Sequence, residues 1–275
     1  MSLRSVLKSM PLFRKPAEFV RYQLFLRQLH KAEVLDADLP SDPNGIAVPP
    51  AKLRHRVHGD LSRDNFLGVG QRVAEELRAL TASVGRDWDS FSDVLDFGCG
   101  SARVMRDFLK GTKANYTGTD IDQELIDWCT AKIPQVSWGV NPFMPPMSYA
   151  DGAFDLVYSI SVFTHLNEEF QNAWLGELHR VTRPGAILIL TVHGEPFIAK
   201  SQLSHSQSAE LEQNGFLFVT GTTGKRKLDG LPDFYQTAYH KKEYIQRVWG
   251  KHFEVLKQIP EGIGSVQDAL VLQRR

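Results

Sequence analysis

Cysteine is scarce in this chain: only Cys99 and Cys129 occur, and neither has a histidine at metal-ligand spacing. That argues against a disulfide framework and against a Cys/His metal site, and no other metal constellation stands out. Both thiols read as free, in a reducing and hence cytoplasmic compartment. No apolar run approaches the roughly 18 residues that a membrane-spanning helix needs. An N-terminal cleaved leader is disfavoured too, since no unbroken apolar core precedes a small-residue cleavage site. Nor does either charge dominate, with 32 Lys/Arg against 32 Asp/Glu. The chain therefore lacks the broad basic field of a protein that grips phosphate backbones, and nucleic acid is disfavoured as its main partner. No internal repeat is found.

What asymmetry there is lies at the start. Residues 1–35 hold seven Lys/Arg (Arg4, Lys8, Arg14, Lys15, Arg21, Arg27, Lys31) against Glu18 and Glu33, a net charge of +5. Leu12, Phe13, Phe19, Val20, Leu24, Phe25 and Leu29 interleave with them. The plain reading is an amphipathic arm packed on its own domain; the sharper one is a docking helix for a partner or an anionic membrane surface. "DADLPSDPNGIAVPP", 36–50, has the Pro, Asp, Asn and Gly content of a linker or surface-hugging loop. The chain thus divides into an arm and linker at 1–60 and one domain at 61–275.

Across 275 residues with 42% hydrophobic and 23% charged content, globular composition is ordinary. The periodicity within the domain alternates. A helix is expected over 70–85, strands at 94–97, 115–119, 135–140, 154–161 and 185–192, and helices at 101–111, 122–133 and 167–182. Such alternation predicts a parallel sheet with helices on both faces. "GAILILTV" is apolar throughout, so both its faces must be covered. Residues 195–240 show a polar stretch, a short helix near 206–214 and a loop; 195–245 is a candidate lid on the substrate side. A helix at 241–250 precedes strand candidates "HFEVLKQI" and "VQDALVLQ", with no helix-length segment between them. They must pair as a hairpin, which turns the last strand antiparallel. The expected fold is α/β: a seven-stranded, mostly parallel, doubly wound sheet with an antiparallel last strand and a helical N-terminal extension.

"VLDFGCGSARVMRDF", 94–108, places Gly98 and Gly100 at the tip of the first strand. In open α/β sheets, ligands bind beyond the carboxyl ends of strands. Glycine there permits unusual φ and a close approach to the backbone, and a following helix would offer free N–H groups. Three details narrow the ligand. Arg103 stands where the dinucleotide fingerprint wants a small residue, which argues against NAD. Asp120 ends the next strand in "YTGTDID", where a carboxylate can accept from both hydroxyls of a ribose. Asp96 precedes the loop, and its anion would repel pyrophosphate but tolerate a cation. A nucleoside with positive charge and no phosphate fits all three.

"VLDFGCGSAR", "YTGTDID", "FDLVYSISVFTHL" and "ELHRVTRPGAILILTVHG", in that order and spacing, resemble the class I S-adenosylmethionine-dependent methyltransferases, closely over 94–192. The resemblance implies S-adenosylmethionine as cofactor and S-adenosylhomocysteine as product. It implies that Asp96, Gly98, Cys99 and Gly100 line the methionine end and that Asp120 holds the ribose. Ile121 would pack on adenine, Asn141 or Pro142 would meet the adenine edge, and Ser159 and Ile160 would pass near the sulfonium. Ala102 departs from the third glycine that many members carry. "NPFMPP" mimics the motif of amine methyltransferases, but it precedes the fourth strand instead of following it.

Methyl transfer is an in-line displacement, so alignment carries much of the rate, and a hydroxyl acceptor gains from a histidine base. His165 and His193, after the fourth and fifth strands, are the candidates, with His240 and Tyr235 in the lid segment behind them. The expected activity is methyl transfer to a small-molecule or glycan-like acceptor, at oxygen. Two other readings stay open here: a cofactor-binding scaffold without turnover, and an NAD-dependent oxidoreductase.

Overall fold

The computed structural model describes residues 11–221 and 236–275. The N-terminal part is helical: α1 (Pro11–Asp36), α2 (Ala51–His58) and α3 (Arg63–Ala82). The linker between α1 and α2 hugs the domain, because Ile46 is buried and Asp42 pairs with the buried Arg106 at 3.0 Å. Ser62 caps α3 by accepting from the Asn65 N–H, so this helix begins seven residues earlier than expected.

The domain then runs β1 (Asp93–Phe97), β2 (Asn115–Asp120), α4 (Gln123–Lys132), β3 (Ser137–Val140), β4 (Phe154–Ser159), α5 (Glu168–Val181) and β5 (Thr182–Val192). Asp122 and Asn167 cap α4 and α5 through their side chains, as their positions predict. After α6 (Glu195–Lys200) and α7 (His205–Asn214) come β6 (Phe216–Val219), β7 (Thr237–His240), α8 (Lys242–Val248), β8 (Phe253–Ile263) and β9 (Gln267–Arg274). Seven strands form one sheet in the order β3-β2-β1-β4-β5-β9-β8, and β6 and β7 form a separate antiparallel pair. Strands β1 to β5 pair in parallel, whereas β9 runs against both β5 and β8. The doubly wound sheet with its reversed last strand is therefore the observed fold.

Period-two burial explains the apolar runs. Ile187 and Ile189 enter the core on one face of the sheet, and Leu188, Leu190 and Val192 enter the core on the other. Leu156 and Tyr158 alternate with Val157 in the same way, as do Ala269 and Val271 with Leu270 and Leu272. A strand buried on both faces has no polar side to show.

Two expectations need correction. No α-helix occupies 101–111; the segment is a series of turns with one 3-10 turn at Met105–Asp107. Ala102 has φ +59°, outside the right-handed helical region, so a helix cannot run through it. Arg106, fully buried, also bonds back to the Ala102 carbonyl and to the linker at Ala47. The region after β5 is likewise more ordered than expected, since α6 and the β6–β7 pair occupy described parts of 195–240.

Candidate cofactor pocket and active site

A cleft of about 290 Å³ opens at the carboxyl ends of β1 to β4. Its wall includes Asp96, Gly98, Cys99, Gly100, Asp120, Ile121, Asn141, Pro142 and Ile160, which are nine of the ten positions named for the cofactor. Ser159 is not on that wall; it is fully buried one residue short of it. Ile121 is 40% exposed, so it is pocket rim and not core.

The loop that joins β1 to the cleft is tied to β2. The N–H groups of Gly98 and Cys99 both donate to the Thr119 carbonyl, at 2.7 and 3.0 Å. The Gly100 N–H donates to Asp120 Oδ2 at 2.8 Å, and the Asp122 N–H donates to Oδ1 at 3.0 Å. The N–H groups of Gly98, Cys99 and Gly100 are therefore spent inside the protein, and no α-helix follows directly to supply others. A phosphate would find no cradle here. The positive φ angles of Gly98 (+83°) and Gly100 (+54°) are as expected, but what crowds these residues is protein. A Cβ at Gly98 would stand 2.2 Å from Val162 Cγ2, and one at Gly100 would stand 2.8 Å from Val57 Cγ2.

Two acids stand on the cleft wall, where a cation beside them would favour their ionised forms. Asp96 is buried and Asp120 is half-buried on the cleft wall. Burial pushes Asp96 up to about 8, against the opposing pull of the Tyr158 hydroxyl, and the Asp120 charge adds to the rise. Burial raises Asp120 as well, while the N–H groups of Asp122 and Gly100 pull it back. Burial also holds the Cys99 thiol well above its usual range, so it is neutral. Both cysteines are free and buried.

Sequence reading missed two features of the wall. Helix α2 brings Arg56 and Val57 over the cleft, although 1–60 reads as arm and linker. Arg56 reaches across to Asp122 at 2.7 Å and Glu124 at 2.8 Å, and Lys52 joins Glu124 at 2.7 Å. The cleft lining also includes the apolar residues Phe143, Val162, Leu166, Phe170 and Trp174. The Phe143 and Phe170 rings meet edge to face at 4.8 Å. Phe143, Val162 and Leu166 sit singly in loops with no periodic signal, and Phe170 and Trp174 read as part of the core face of their helix.

Of the histidines, only His165 lines the cleft. Its Nδ1 lies 2.6 Å from the Gln236 carbonyl, which can only accept, so Nδ1 carries the proton and Nε2 is the basic nitrogen of the neutral ring. His193 is buried off the cleft wall, stacked on Phe197 at 3.7 Å, with Nδ1 donating to the Ala238 carbonyl at 3.2 Å. His240 is fully buried in the core, and burial depresses it to about 3, so it is neutral at physiological pH. Tyr235 lies outside the described residues.

The sheet order, with a cleft at its carboxyl edge, is that of the doubly wound methyltransferase fold. More narrowly, residues 94–185 match the family described as "Methyltransferase domain". Two curated relatives are each 32% identical: sterol 24-C-methyltransferase erg-4 of Neurospora crassa, over 121 residues, and 2-methyl-6-phytyl-1,4-hydroquinone methyltransferase of Synechocystis sp., over 100 residues. The first match covers 42% of this chain and 31% of that protein, and the second covers 35% and 30%. The chain thus spans under a third of the length of these relatives. Among solved structures, an S-adenosylmethionine-dependent methyltransferase from Clostridium acetobutylicum shares the fold with a TM-score of 0.52 at 10% identity, covering 74% of this chain and 91% of that one.

Proposed function

We propose that this protein binds S-adenosylmethionine and transfers its methyl group to a small-molecule acceptor with an apolar body, at an oxygen, releasing S-adenosylhomocysteine. One observation carries the cofactor reading: two shielded carboxylates, Asp96 and Asp120, flank a loop whose N–H groups are already bonded within the protein. The spent donors offer phosphate little to bind, and acids whose ionised forms a neighbouring cation favours suit a cationic nucleoside. When bound, the donor supplies an electrophilic methyl group on a positively charged sulfur.

The protein's own residues do the rest. Asp120, held rigid by two backbone donors, presents its remaining lone pairs to a ribose. Ile121 and Pro142 offer apolar surface to a base, and Asn141 stands beside them with its amide anchored on Thr119 Oγ1 at 3.2 Å. Phe143, Leu166, Phe170 and Trp174 receive the acceptor's apolar part and exclude water. His165 Nε2 takes the proton that the acceptor hydroxyl gives up. This apolar wall favours such an acceptor over a glycan-like one. The two curated relatives, named for a sterol and a phytyl hydroquinone, agree with that preference.

The cofactor reading is tested by thermal melting with S-adenosylmethionine or S-adenosylhomocysteine. The wild type should be stabilised, and Asp120→Asn should lose most of the shift. A wild type that neither nucleoside stabilises would refute the reading. Labelled methyl should then enter the organic phase of a cell extract and not the aqueous glycan fraction.

A further inference from the structure

Among its described side chains, those of 19–36, helix α1 lies against the body along one side. The Phe25 ring meets His55 of α2 at 4.7 Å, and Asp36 at its end pairs with the buried Arg54. Leu26, Leu29 and Ala32 are half-buried between these anchors. The opposite side carries Val20, Leu24, Arg27, Lys31 and Val34, which are spaced four, three, four and three apart and so form one outward stripe. Leu35 flanks the stripe at its end and Phe19 at its start. Val20, Leu24, Val34, Leu35 and Phe19 are each more than half exposed, and Arg27 and Lys31 are exposed between them. No acid lies on that stripe.

Large exposed side chains on a helix with a whole domain beside it imply something that covers them. The charge distribution says what kind of surface that is. Residues 1–35 carry +5, leaving 25 Lys/Arg against 30 Asp/Glu in the rest of the chain, a net −5. Only this arm is drawn toward an anionic surface, while the remainder is repelled, so contact through α1 fixes the orientation of the body. No described helix is long and apolar enough to cross a membrane. Cations interleaved with aliphatic and aromatic residues, without a continuous apolar seam, suit the headgroup layer of a bilayer better than a helix-to-helix packing face. Helix α1 also packs on α2, whose Arg56 and Val57 wall the cofactor cleft.

We propose that the outward stripe of α1 docks the protein on an anionic phospholipid bilayer, and that the acceptor is drawn from that bilayer. The second clause rests on the proposed methyltransferase reading; the docking itself does not. A docked α1 places the α2 wall and the apolar lining of the cleft within reach of a lipid-soluble acceptor.

The test is co-sedimentation of the full chain with vesicles of phosphatidylcholine alone and of phosphatidylcholine mixed with phosphatidylglycerol. Binding is expected only to the mixed vesicles and should fall as salt rises. The double variant Arg27→Glu/Lys31→Glu should lose at least about 30-fold in partitioning, from two lost cationic contacts at about 1 kcal/mol each, with repulsion of the new carboxylates adding to the loss. Val20→Ser/Leu24→Ser should also bind less. Both variants should keep the wild-type melting shift with S-adenosylmethionine, which separates failure of docking from failure of the cofactor site. Absent binding, equal binding to phosphatidylcholine alone, or an unaffected Arg27→Glu/Lys31→Glu variant would overturn the proposal. So would a dimer in light scattering that the same charge reversals dissociate, since the stripe would then be an interface between copies.

Discussion

His240 Nε2 lies 2.9 Å from Gln171 Oε1, deep in the core and away from the cleft. Gln171 in turn donates its amide protons to the carbonyls of Phe163 and Leu166, at 2.9 and 3.0 Å. The two carbonyls bracket His165. Strand β7 adds to the clamp, with the Ala238 N–H on the Thr164 carbonyl and the His240 N–H on the His193 carbonyl. A histidine read as a candidate base is thus a neutral strut beneath another one. We predict that His240→Ala costs about 3 kcal/mol of stability in urea unfolding, from a cavity plus an unsatisfied Gln171 amide. Because the ring does not line the cleft, its melting shift with S-adenosylmethionine should survive.

Asp96 links stability to function. Its folded-state pKa of about 8 lies above that of a free carboxyl. Between roughly pH 4 and pH 8 the folded chain therefore holds a proton that the unfolded chain has lost, and stability drains away as pH rises through that window. The isosteric Asp96→Asn variant never ionises. Relative to wild type it should gain stability with rising pH, by up to about 1.4 kcal/mol per unit within the window. Unfolding at about pH 5 and about pH 8 checks the sign. A cationic ligand needs the carboxylate ionised, so its binding should release up to about one proton below pH 8. Calorimetry in buffers of different ionisation enthalpy should show that release in wild type and not in Asp96→Asn.

Val162 sets the packing limit at the glycine loop. Gly98→Ala would place a methyl group 2.2 Å from Val162 Cγ2 at a φ of +83°. Both penalties apply, and together they should cost about 3 kcal/mol or more in urea unfolding. Val162→Ala in the same chain should relieve the clash but leave the backbone strain, about 1–2 kcal/mol. Full recovery in the double variant would mean that φ, and hence the sharp turn after β1, tolerates a side chain.

Much of this architecture is legible in the residues themselves. Strands β1, β4 and β5 follow from apolar runs that two cores share, and Asp122 and Asn167 announce their helices as side-chain caps. The cleft's acids and glycines are legible because each ends a strand or a strand-to-loop turn. What stays hidden is set by contacts between distant segments. Ala102 takes a positive φ inside an otherwise helical pattern, and Arg106 turns inward to the linker, so local periodicity misreads 101–111. Helix α2 looks like the end of a linker until Arg56 finds Asp122, 66 positions on. Ring burial at His193 and His240 depends on β7, whose pairing with β6 leaves no mark in the sequence.

That Arg56 contact is the latch on the cleft. Its guanidinium bonds both Asp122 and Glu124 and is itself largely shielded, while the Glu124 side chain is 49% exposed. The pairs raise the Arg56 pKa against the opposing effect of its burial, so the charge is permanent and the latch does not open with pH. Partly exposed pairs of this kind contribute about 0.5–1 kcal/mol each. Removing both should therefore leave the fold intact and loosen α2 against α4, with the exposed Lys52–Glu124 pair still between them. Arg56→Ala should release S-adenosylhomocysteine about tenfold faster, with a much smaller change in its association rate. Stopped-flow displacement measures both rates. An unchanged dissociation rate would show that α2 walls the cleft without holding it shut.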